Sequence, residues 1–293
     1  MRFGTTAFLF TCLSALTVNA QDVNSTPTPA PPGSKPATYA QVRVDQPYIA
    51  MTFDDGPSSA NTPRLLEILK QRNIKATFFL IGQNAASNPD IVRQILADGH
   101  EVGNHSWTHP QLSKLSDERV TTEINKTQNA IKEASGFTPT LLRPPYGAIT
   151  ARQREWIESQ FGLSIILWSV DPFDWKRPGA SVITQRILSQ VRPGAIILSH
   201  DIHKQTVDAM PATLDGLIAK GYKFVTVTQL IAMNKPKPSP TPAVNSGGEQ
   251  PRPVKSHQSA PIKGNSEAGT QRTSQQGNTQ SDSAKTEPNG EGQ

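Results

Sequence analysis

Between residues 42 and 230, short apolar runs alternate with amphipathic stretches, and this alternation limits the folds open to the chain. Residues 163–168 read LSIILW, with almost no polar position to face water. A strand that is apolar on both faces is typical of a parallel sheet covered by helices. The alternation of strands and helices therefore predicts a single-domain α/β fold of the barrel type, with about seven parallel strands.

The predicted strands are short apolar runs between turn residues, and the predicted helices are longer and amphipathic. Strands are predicted at 48–53, 76–81, 101–104, 140–143, 163–170, 195–199 and 223–227. Helices are predicted at 63–72, 89–98, 117–134, 151–160, 182–190 and 206–219. Thr62 followed by Pro63 is a typical helix start, and Gly99 after Asp98 is a typical helix end.

The two ends of the chain differ in composition from its centre. Residues 1–20 combine Arg2, an apolar run and a small-residue cleavage pattern, which predicts a signal peptide. The run is shorter than the ~20 residues that span a bilayer, so we expect no transmembrane span in the mature chain. An uncleaved anchor is the alternative. Cys12 lies in this run, so the mature chain would contain no thiol. We expect an exported protein, located in the periplasm, at the cell wall or outside the cell.

Residues 21–41 are rich in Pro, Ser and Thr and are predicted to form an extended linker. Residues 236–293 contain no Phe, Trp, Tyr or Leu and are predicted to be a disordered polar tail. The folded domain would then comprise residues 42–235. Its length suits one domain, and we expect a monomer.

Charge argues against a nucleic-acid partner. The sequence has 29 Lys and Arg against 24 Asp and Glu, a net charge of +5, and part of this surplus lies in the two ends. No cluster of basic residues interleaved with aromatic residues stands out in the sequence, so we predict no nucleic-acid groove.

Polar, potentially reactive side chains follow five of the seven predicted strands. They are Asp54 and Asp55, His105 and His109, residues 143–146, residues 171–175, and His200. In parallel α/β barrels the loops after the strands meet at one mouth, where active sites form. The pattern therefore predicts one active site at this end of the barrel.

Two imidazoles and a carboxylate form a candidate metal site. His105 and His109 are four residues apart, a spacing that places both on one side of a helical turn and suits one zinc-type cation. Asp55 is the natural third ligand and would leave a position open, as in catalytic zinc sites. Adjacent side chains at a strand end point apart, so Asp54 could face substrate. The alternatives are a chance histidine pair at the surface and acids that only cap a turn.

Two further segments carry candidate catalytic groups. Pro144 and Pro145 have no N–H, so Tyr146 carries the first backbone donor after its strand, a candidate oxyanion site. The alternative is a rigid loop that shapes the rim. His200 can act as an acid near neutral pH, and an acid at the neighbouring strand end would support that role. A structural histidine is the alternative.

Five short segments carry these residues in order. They are 52–57 (TFDDGP), 105–109 (HSWTH), 143–147 (RPPYG), 171–175 (DPFDW) and 198–200 (LSH). Together they resemble the five ordered motifs of the polysaccharide deacetylase family, which is carbohydrate esterase family 4, the NodB-homology domain. The resemblance covers about residues 42–231, with no departure at a catalytic position. It implies an irregular, incomplete (β/α) barrel as a single catalytic domain.

The resemblance also implies a role for each matched residue. One divalent metal ion would be held by Asp55, His105 and His109. Zinc is the expected ion, and cobalt or another divalent ion is the alternative.

The other matched residues would serve catalysis and substrate binding. Asp54 would be the general base held by Arg143, and Tyr146 would donate its N–H to the oxyanion. The resemblance makes His200 the general acid, with Asp174 as its partner, and lines the acetyl-methyl pocket with Trp175 and Leu198.

The expected activity is metal-dependent hydrolysis of N-acetyl groups on an amino-sugar polymer of the peptidoglycan or chitin type. The expected partner is the N-acetylated polysaccharide substrate. Three alternatives remain. They are an O-acetyl xylan esterase with the same site, hydrolysis of small cyclic amides, and a catalytically silent glycan-binding protein.

Overall fold

A parallel sheet of short strands forms the centre of the computed structural model, which describes residues 37–235. Within that range the strands are β1 Thr38–Tyr39, β2 Tyr48–Asp54, β3 Thr77–Leu80, β4 Glu101–Asn104, β5 Leu141–Leu142, β6 Ser164–Ile166, β7 Ile196–Ile197 and β8 Lys223–Phe224. Their order is β1-β6-β5-β4-β3-β2-β7, and β8 pairs with β2. All of these pairs are parallel.

Helices follow most of the strands. They are α1 Thr62–Lys70, α2 Gly82–Ser87, α3 Pro89–Ala97, α4 Asp117–Ser135, α5 Ala151–Phe161, α6 Ala180–Gln190, α7 Lys204–Ala219 and α8 Val227–Ala232. Capping boxes at Thr150 and Thr226 start α5 and α8, because each threonine hydroxyl accepts from the third backbone N–H of its helix. No helix of residues 37–235 combines the length and apolar character needed to cross a bilayer.

The predicted α/β fold is confirmed, with differences in detail. Each of the seven predicted strands and six predicted helices has a counterpart. The strand predicted at 163–170 ends at Ile166, because the Arg143 guanidinium binds the carbonyls of Ile166 and Leu167 at 3.3 and 3.2 Å in place of a neighbouring strand. The strand predicted at 223–227 ends at Phe224, because Thr226 caps α8. Helices α2 and α8 were not predicted, since each is only six residues long.

The count of about seven strands was one too low for the described residues. Thr38 and Tyr39 pair with Ile165 and Ile166, so β1 lies inside the 21–41 range predicted as linker. A two-residue strand is too short to give a periodic signal, and the Pro and Thr content around it resembles a linker. The rest of that range up to residue 36, the signal peptide at 1–20 and the tail at 236–293 lie outside the described residues.

The sheet curls into an irregular barrel whose seam lies between β7, at one end of the strand order, and the segments that follow β1 and β6 at the other end. Isolated bridges close the seam in place of a continuous ladder. Val170, after β6, bridges Ile197 of β7, and Gln41, after β1, forms an antiparallel bridge with Ala195. Near the second bridge, Gly194 donates to the Tyr48 carbonyl at 2.7 Å and accepts from the Val42 N–H at 2.9 Å.

Apolar side chains bury both faces of the central strands. Met51 and Phe53 of β2 belong to a cluster that includes Leu65 of α1 and Leu214 of α7, outside the barrel. A second cluster takes its buried members from five strands, from the segment between β1 and β2 and from α8, and fills the barrel interior. It consists of Val42, Ala50, Phe79, Leu141, Ile166, Ile196, Val227 and Leu230. The interior is therefore packed below the mouth, and polar side chains collect above it.

The seam generates a stability prediction. Gly194 has a φ of +80°, and a Cβ there would lie 1.7 Å from the Val42 carbonyl oxygen. Gly162, at the end of α5, has a φ of +66°, and a Cβ there would meet no atom within 4 Å. We expect Gly162→Ala to cost about 1–2 kcal/mol, the strain of a left-handed alanine. Gly194→Ala should cost clearly more, because the backbone must also move. The unfolding free energy of each variant is measured by urea denaturation. Equal losses in the two variants would show that the backbone at the seam moves without a cost in stability.

Candidate active site

A cavity of about 400 Å³ opens at the carboxyl ends of the strands. It is lined by Asp54, Asp55, His105, His109, Tyr146, Trp168, Asp171, Trp175, Leu198 and His200. Eight of these ten are residues predicted from the sequence. Ten site residues were predicted in all. The two that do not line the cavity, Arg143 and Asp174, are fully buried and contact the cavity-lining side chains from behind. The structure thus brings all ten predicted residues to one site.

Asp55, His105 and His109 converge on one point. The Oδ1 atom of Asp55 lies 3.3 Å from Nε2 of His105 and 3.3 Å from Nε2 of His109. One ligand atom from each residue falls within 4.8 Å of the others. Among the described residues, the buried Asp55 Oδ1 has no hydrogen-bond donor. An orphaned buried carboxylate oxygen facing two imidazole nitrogens fits one divalent cation.

The protonation states of this triad suit a cation. Burial alone would raise the pKa of Asp55, but the facing His105 and the other nearby histidines lower it to about 2. Burial lowers the pKa of His109. The carboxylate is therefore ionised and the His109 imidazole is neutral at physiological pH, which are the forms that bind metal.

Hydrogen bonds orient both histidines. The Nδ1 of His105 donates to the Arg143 carbonyl at 2.7 Å, so its Nε2 lone pair points to Asp55. The Nδ1 of His109 lies 3.2 Å from the Tyr146 hydroxyl. Asp55, Ser106 and His109 all have left-handed φ values of 61–73°, a strained conformation that the surrounding bonds must hold.

The histidine pair lies in a loop, and the predicted helical turn is wrong. The Glu123 carboxylate of α4 folds this loop, since it accepts from the N–H groups of Trp107 and Thr108 and from the Thr108 hydroxyl, each at 2.8 Å. The two imidazoles meet because of this anchor and not because of helical spacing. Nothing in the sequence distinguished Glu123 from the other charged residues of its helix.

Asp54 and Arg143 form a buried ion pair beside the triad. Arg143 Nη1 lies 2.7 Å from Asp54 Oδ1 and donates to the Thr52 hydroxyl at 2.6 Å. The guanidinium stacks over the Phe79 ring, with Cζ 4.2 Å from the centroid. The second oxygen of Asp54 lies 3.7 Å from His105 Nε2 and faces the triad. The two adjacent aspartates thus have different partners, but an oxygen of each lies within 3.7 Å of His105 Nε2, so the carboxylates do not point apart as strand geometry predicted.

His200 and Asp174 form a second polar pair. The Nδ1 of His200 donates to Asp174 Oδ1 at 2.8 Å, and Asp174 also accepts from the Thr206 hydroxyl and from the backbone N–H groups of His200 and Trp175. Burial alone would lower the pKa of His200, but the hydrogen bond to Asp174 and nearby negative charge raise it to about 9. The imidazole therefore holds a proton at neutral pH, and Nε2 has no hydrogen-bond partner in the part of the chain that the structure describes.

Tyr146 lies at the rim with 63% of its surface exposed and a φ of 60°. The next two residues donate to the carbonyls of Pro144 and Pro145. No acceptor within residues 37–235 takes a hydrogen bond from the Tyr146 N–H. The donor predicted from the two prolines is therefore free.

Sequence reasoning missed Asp201, which follows His200. Its side chain is fully buried, receives a hydrogen bond from the Thr62 hydroxyl, and lies against Gly56, where a Cβ would come within 2.5 Å of Oδ1. Burial raises its pKa to about 7. Asp201 supports the turn that carries Asp54 and Asp55. Its position one residue after a strand-end histidine was the available signal.

Comparisons with known proteins agree with this geometry. Residues 41–165 match the sequence family described as "Polysaccharide deacetylase". The peptidoglycan-N-acetylglucosamine deacetylase PgdA of Listeria monocytogenes is 48% identical over 182 residues, which cover 62% of this chain and 38% of that protein. The chain thus spans well under half the length of this relative.

Two further relatives are covered more fully. A peptidoglycan-N-acetylglucosamine deacetylase of Bacillus cereus is 41% identical over 191 residues, which are 64% of this chain and 69% of that protein. The crystal structure of the Bc1960 peptidoglycan N-acetylglucosamine deacetylase superposes with a TM-score of 0.64 at 36% identity, covering 69% of this chain and 95% of that one. The motifs, the barrel and these similarities agree, and the chain belongs to the polysaccharide deacetylase family.

Proposed function

We propose that the protein is a metal-dependent deacetylase that hydrolyses N-acetyl groups of an amino-sugar polymer to a free amine and acetate. The observation that carries this proposal is the assembly of three groups in one cavity. They are the Asp55, His105 and His109 triad, the Asp54 and Arg143 ion pair, and the His200 and Asp174 pair. The similar proteins act on peptidoglycan by name, which supports the same substrate class here.

Asp55, His105 and His109 are the proposed metal ligands, and zinc is the proposed ion because two nitrogens and one oxygen suit it. Cobalt or another divalent ion is the alternative. When bound there, the ion supplies a Lewis acid for the acetyl carbonyl and acidifies a water molecule.

Asp54 is the proposed general base. Arg143 binds only its Oδ1, and Oδ2 is left facing the triad. The fixed guanidinium holds the carboxylate in one orientation, so that Oδ2 can take a proton from the attacking water. The side chains of Asp55, His105 and His109 could also accept a proton, but they would be engaged as metal ligands.

Tyr146 is the proposed oxyanion donor through its backbone N–H. The N–H is free of acceptors within the described residues, and its rigid left-handed position costs no reorganisation during reaction. Trp175 and Leu198 both line the cavity and supply an apolar wall for the acetyl methyl group.

His200 is the proposed general acid, positioned by Asp174. As the C–N bond of the tetrahedral intermediate breaks, the proton on His200 Nε2 passes to the leaving nitrogen, which departs as a neutral amine. An ester oxygen is a better leaving group and has less need of this proton. The protonated His200 therefore favours amide over O-acetyl ester as the natural substrate, and the complete set of groups argues against a silent glycan-binding protein.

Export is proposed from residues 1–20, whose pattern is that of a signal peptide. A glycan of the cell envelope lies outside the membrane, so an enzyme that acts on it must leave the cytoplasm. We propose a location in the periplasm, at the wall or outside the cell.

The function is tested by acetate release. The purified full chain should release acetate from N-acetylglucosamine oligomers, and a chelator should abolish the release until zinc is restored.

Asp54→Asn should keep one metal ion per chain while losing most turnover, and His105→Ala should lose the metal itself. Metal content by mass spectrometry separates the two variants. An Asp54→Asn protein that purifies without metal would overturn the division between base and ligand.

A second prediction concerns the leaving group. Removing a general acid typically costs about 10²–10⁴-fold, so His200→Ala should slow acetamide cleavage by that factor. The same variant should keep far more activity on an activated aryl acetate, because an aryl oxide leaves without a proton. His203→Ala is the matched control, since its ring centroid lies 6.0 Å from that of His200 and it has no proposed role. Equal losses on both substrates would remove the acid role from His200.

A third prediction concerns pH. Asp174 raises the pKa of His200, and the acid works only below that pKa, so kcat/KM should fall as pH rises through it. Asp174→Asn removes the charge and should move this alkaline limb to lower pH. Asp90→Asn, at an exposed carboxylate on α3, should leave the limb in place. An unchanged limb in Asp174→Asn would show that another group sets it.

A further inference from the structure

Exposed aromatic and basic side chains lie together at one side of the cavity. We name this surface the basic rim and define it as Phe173, Trp175, Lys176, Arg177 and Arg186. Phe173 and Trp175 are 40% and 49% exposed, Lys176 and Arg177 are exposed as well, and Arg186 is half-buried. Trp175 also lines the cavity, so the rim is continuous with the candidate active site. The basic side chains were not recognised as a cluster in the sequence, because Arg186 comes from α6 and joins the others only in the fold.

The cations of the rim are held close to the aromatic rings. Lys176 Nζ lies 4.9 Å from the centroid of Trp175 and 5.2 Å from that of Phe173. Arg186 Cζ lies 5.7 Å from the Phe173 centroid. The two aromatic centroids are 6.2 Å apart with their planes at 67°. These contacts restrain the positive charge over two partly exposed aromatic rings at the edge of the cavity.

The backbone of the rim is fixed. Phe173 and Arg177 have left-handed φ values of 54° and 53°. The Phe173 N–H donates to Asp171 Oδ1 at 2.7 Å, and Arg186 Nη1 donates to the Pro172 carbonyl at 2.9 Å. A strained turn held by such bonds presents its side chains in a defined arrangement.

The positive charge of the rim is not neutralised within the described residues. No carboxylate in residues 37–235 forms an ion pair with Lys176, Arg177 or Arg186. The nearest acids, Asp171 and Asp174, offset part of this charge, and Asp171 interacts electrostatically with Lys176, but three cations against two carboxylates leave a positive surplus. Asp174 is fully buried and accepts four hydrogen bonds, and Asp171 accepts from the Phe173 N–H.

We propose that the basic rim binds carboxylate groups carried by the glycan, so that the substrate is an acidic N-acetylated polymer. Peptidoglycan strands have this chemistry, since every second sugar bears a lactyl ether that carries a carboxylate or a peptide with carboxylates. Chitin is neutral and offers the rim only stacking. This inference rests on the proposed deacetylase function and selects one of the two polymer classes left open by it.

The test compares two substrates of equal sugar length. One is a peptidoglycan strand with its peptide carboxylates, and the other is a neutral N-acetylchitooligosaccharide. Exposed ion pairs contribute little each, so replacing both Lys176 and Arg177 by Gln should lower the ratio of kcat/KM on the acidic to the neutral substrate by about 3- to 10-fold. The change should lie in KM. Raising the salt concentration should lower the same ratio in the wild type and have much less effect in the variant.

Two controls isolate charge from packing. The double variant Lys176→Arg with Arg177→Lys keeps both charges and should keep the substrate ratio. Replacing the helix lysines Lys70 and Lys132 by Gln removes the same charge from α1 and α4 and should also keep it. A ratio that is unchanged in the Gln variant of the rim would overturn the inference, as would equal losses on both polymers. A wild-type protein that releases acetate from neither polymer would instead refute the proposed function.

Discussion

The buried Arg143 guanidinium is the interaction on which the site depends. It joins the ends of three strands, because it pairs with Asp54 of β2, stacks on Phe79 of β3 and binds carbonyl groups at the end of β6. Its own carbonyl accepts from His105. Removing one partner of a fully buried ion pair leaves an uncompensated charge, which is far more costly than losing an exposed pair. The Arg143 guanidinium therefore joins the strand ends and also orients the proposed base, Asp54. The Arg143 carbonyl orients one proposed metal ligand, His105.

The barrel geometry explains how two acids and two histidines take different roles within one cavity. Asp54 and Asp55 are adjacent in sequence, yet one is held by Arg143 and the other faces two imidazoles. His105 is oriented by a backbone carbonyl, whereas His200 is oriented by the buried carboxylate of Asp174. The carbonyl fixes the ring orientation that turns His105 Nε2 toward the triad, whereas the carboxylate raises the pKa of His200. The proposed metal ligand His105 and the proposed acid His200 thus have the same residue type and differ in their hydrogen-bond partners.

Left-handed backbone recurs at the mouth of the barrel. Asp55, Ser106, His109, Tyr146 and Phe173 all have positive φ values. Such residues cost free energy and persist only where surrounding bonds hold them, as Glu123 holds the histidine loop. The cost is consistent with a preorganised site, where donors and ligands already point into the cavity before substrate arrives.

The sequence by itself determined the α/β class, the order of the main helices and strands, the family, and the ten residues that meet at the cavity. These features have local signals, because burial sets the period of apolar residues and parallel strands bring their carboxyl ends to one edge. Only the tertiary structure decided that β1 and isolated bridges close the seam, that Glu123 folds the histidine loop, that Asp201 supports the aspartate turn, and that Arg186 joins the basic rim. Each of these depends on contacts between residues far apart in the chain, and no spacing within one segment encodes such a contact.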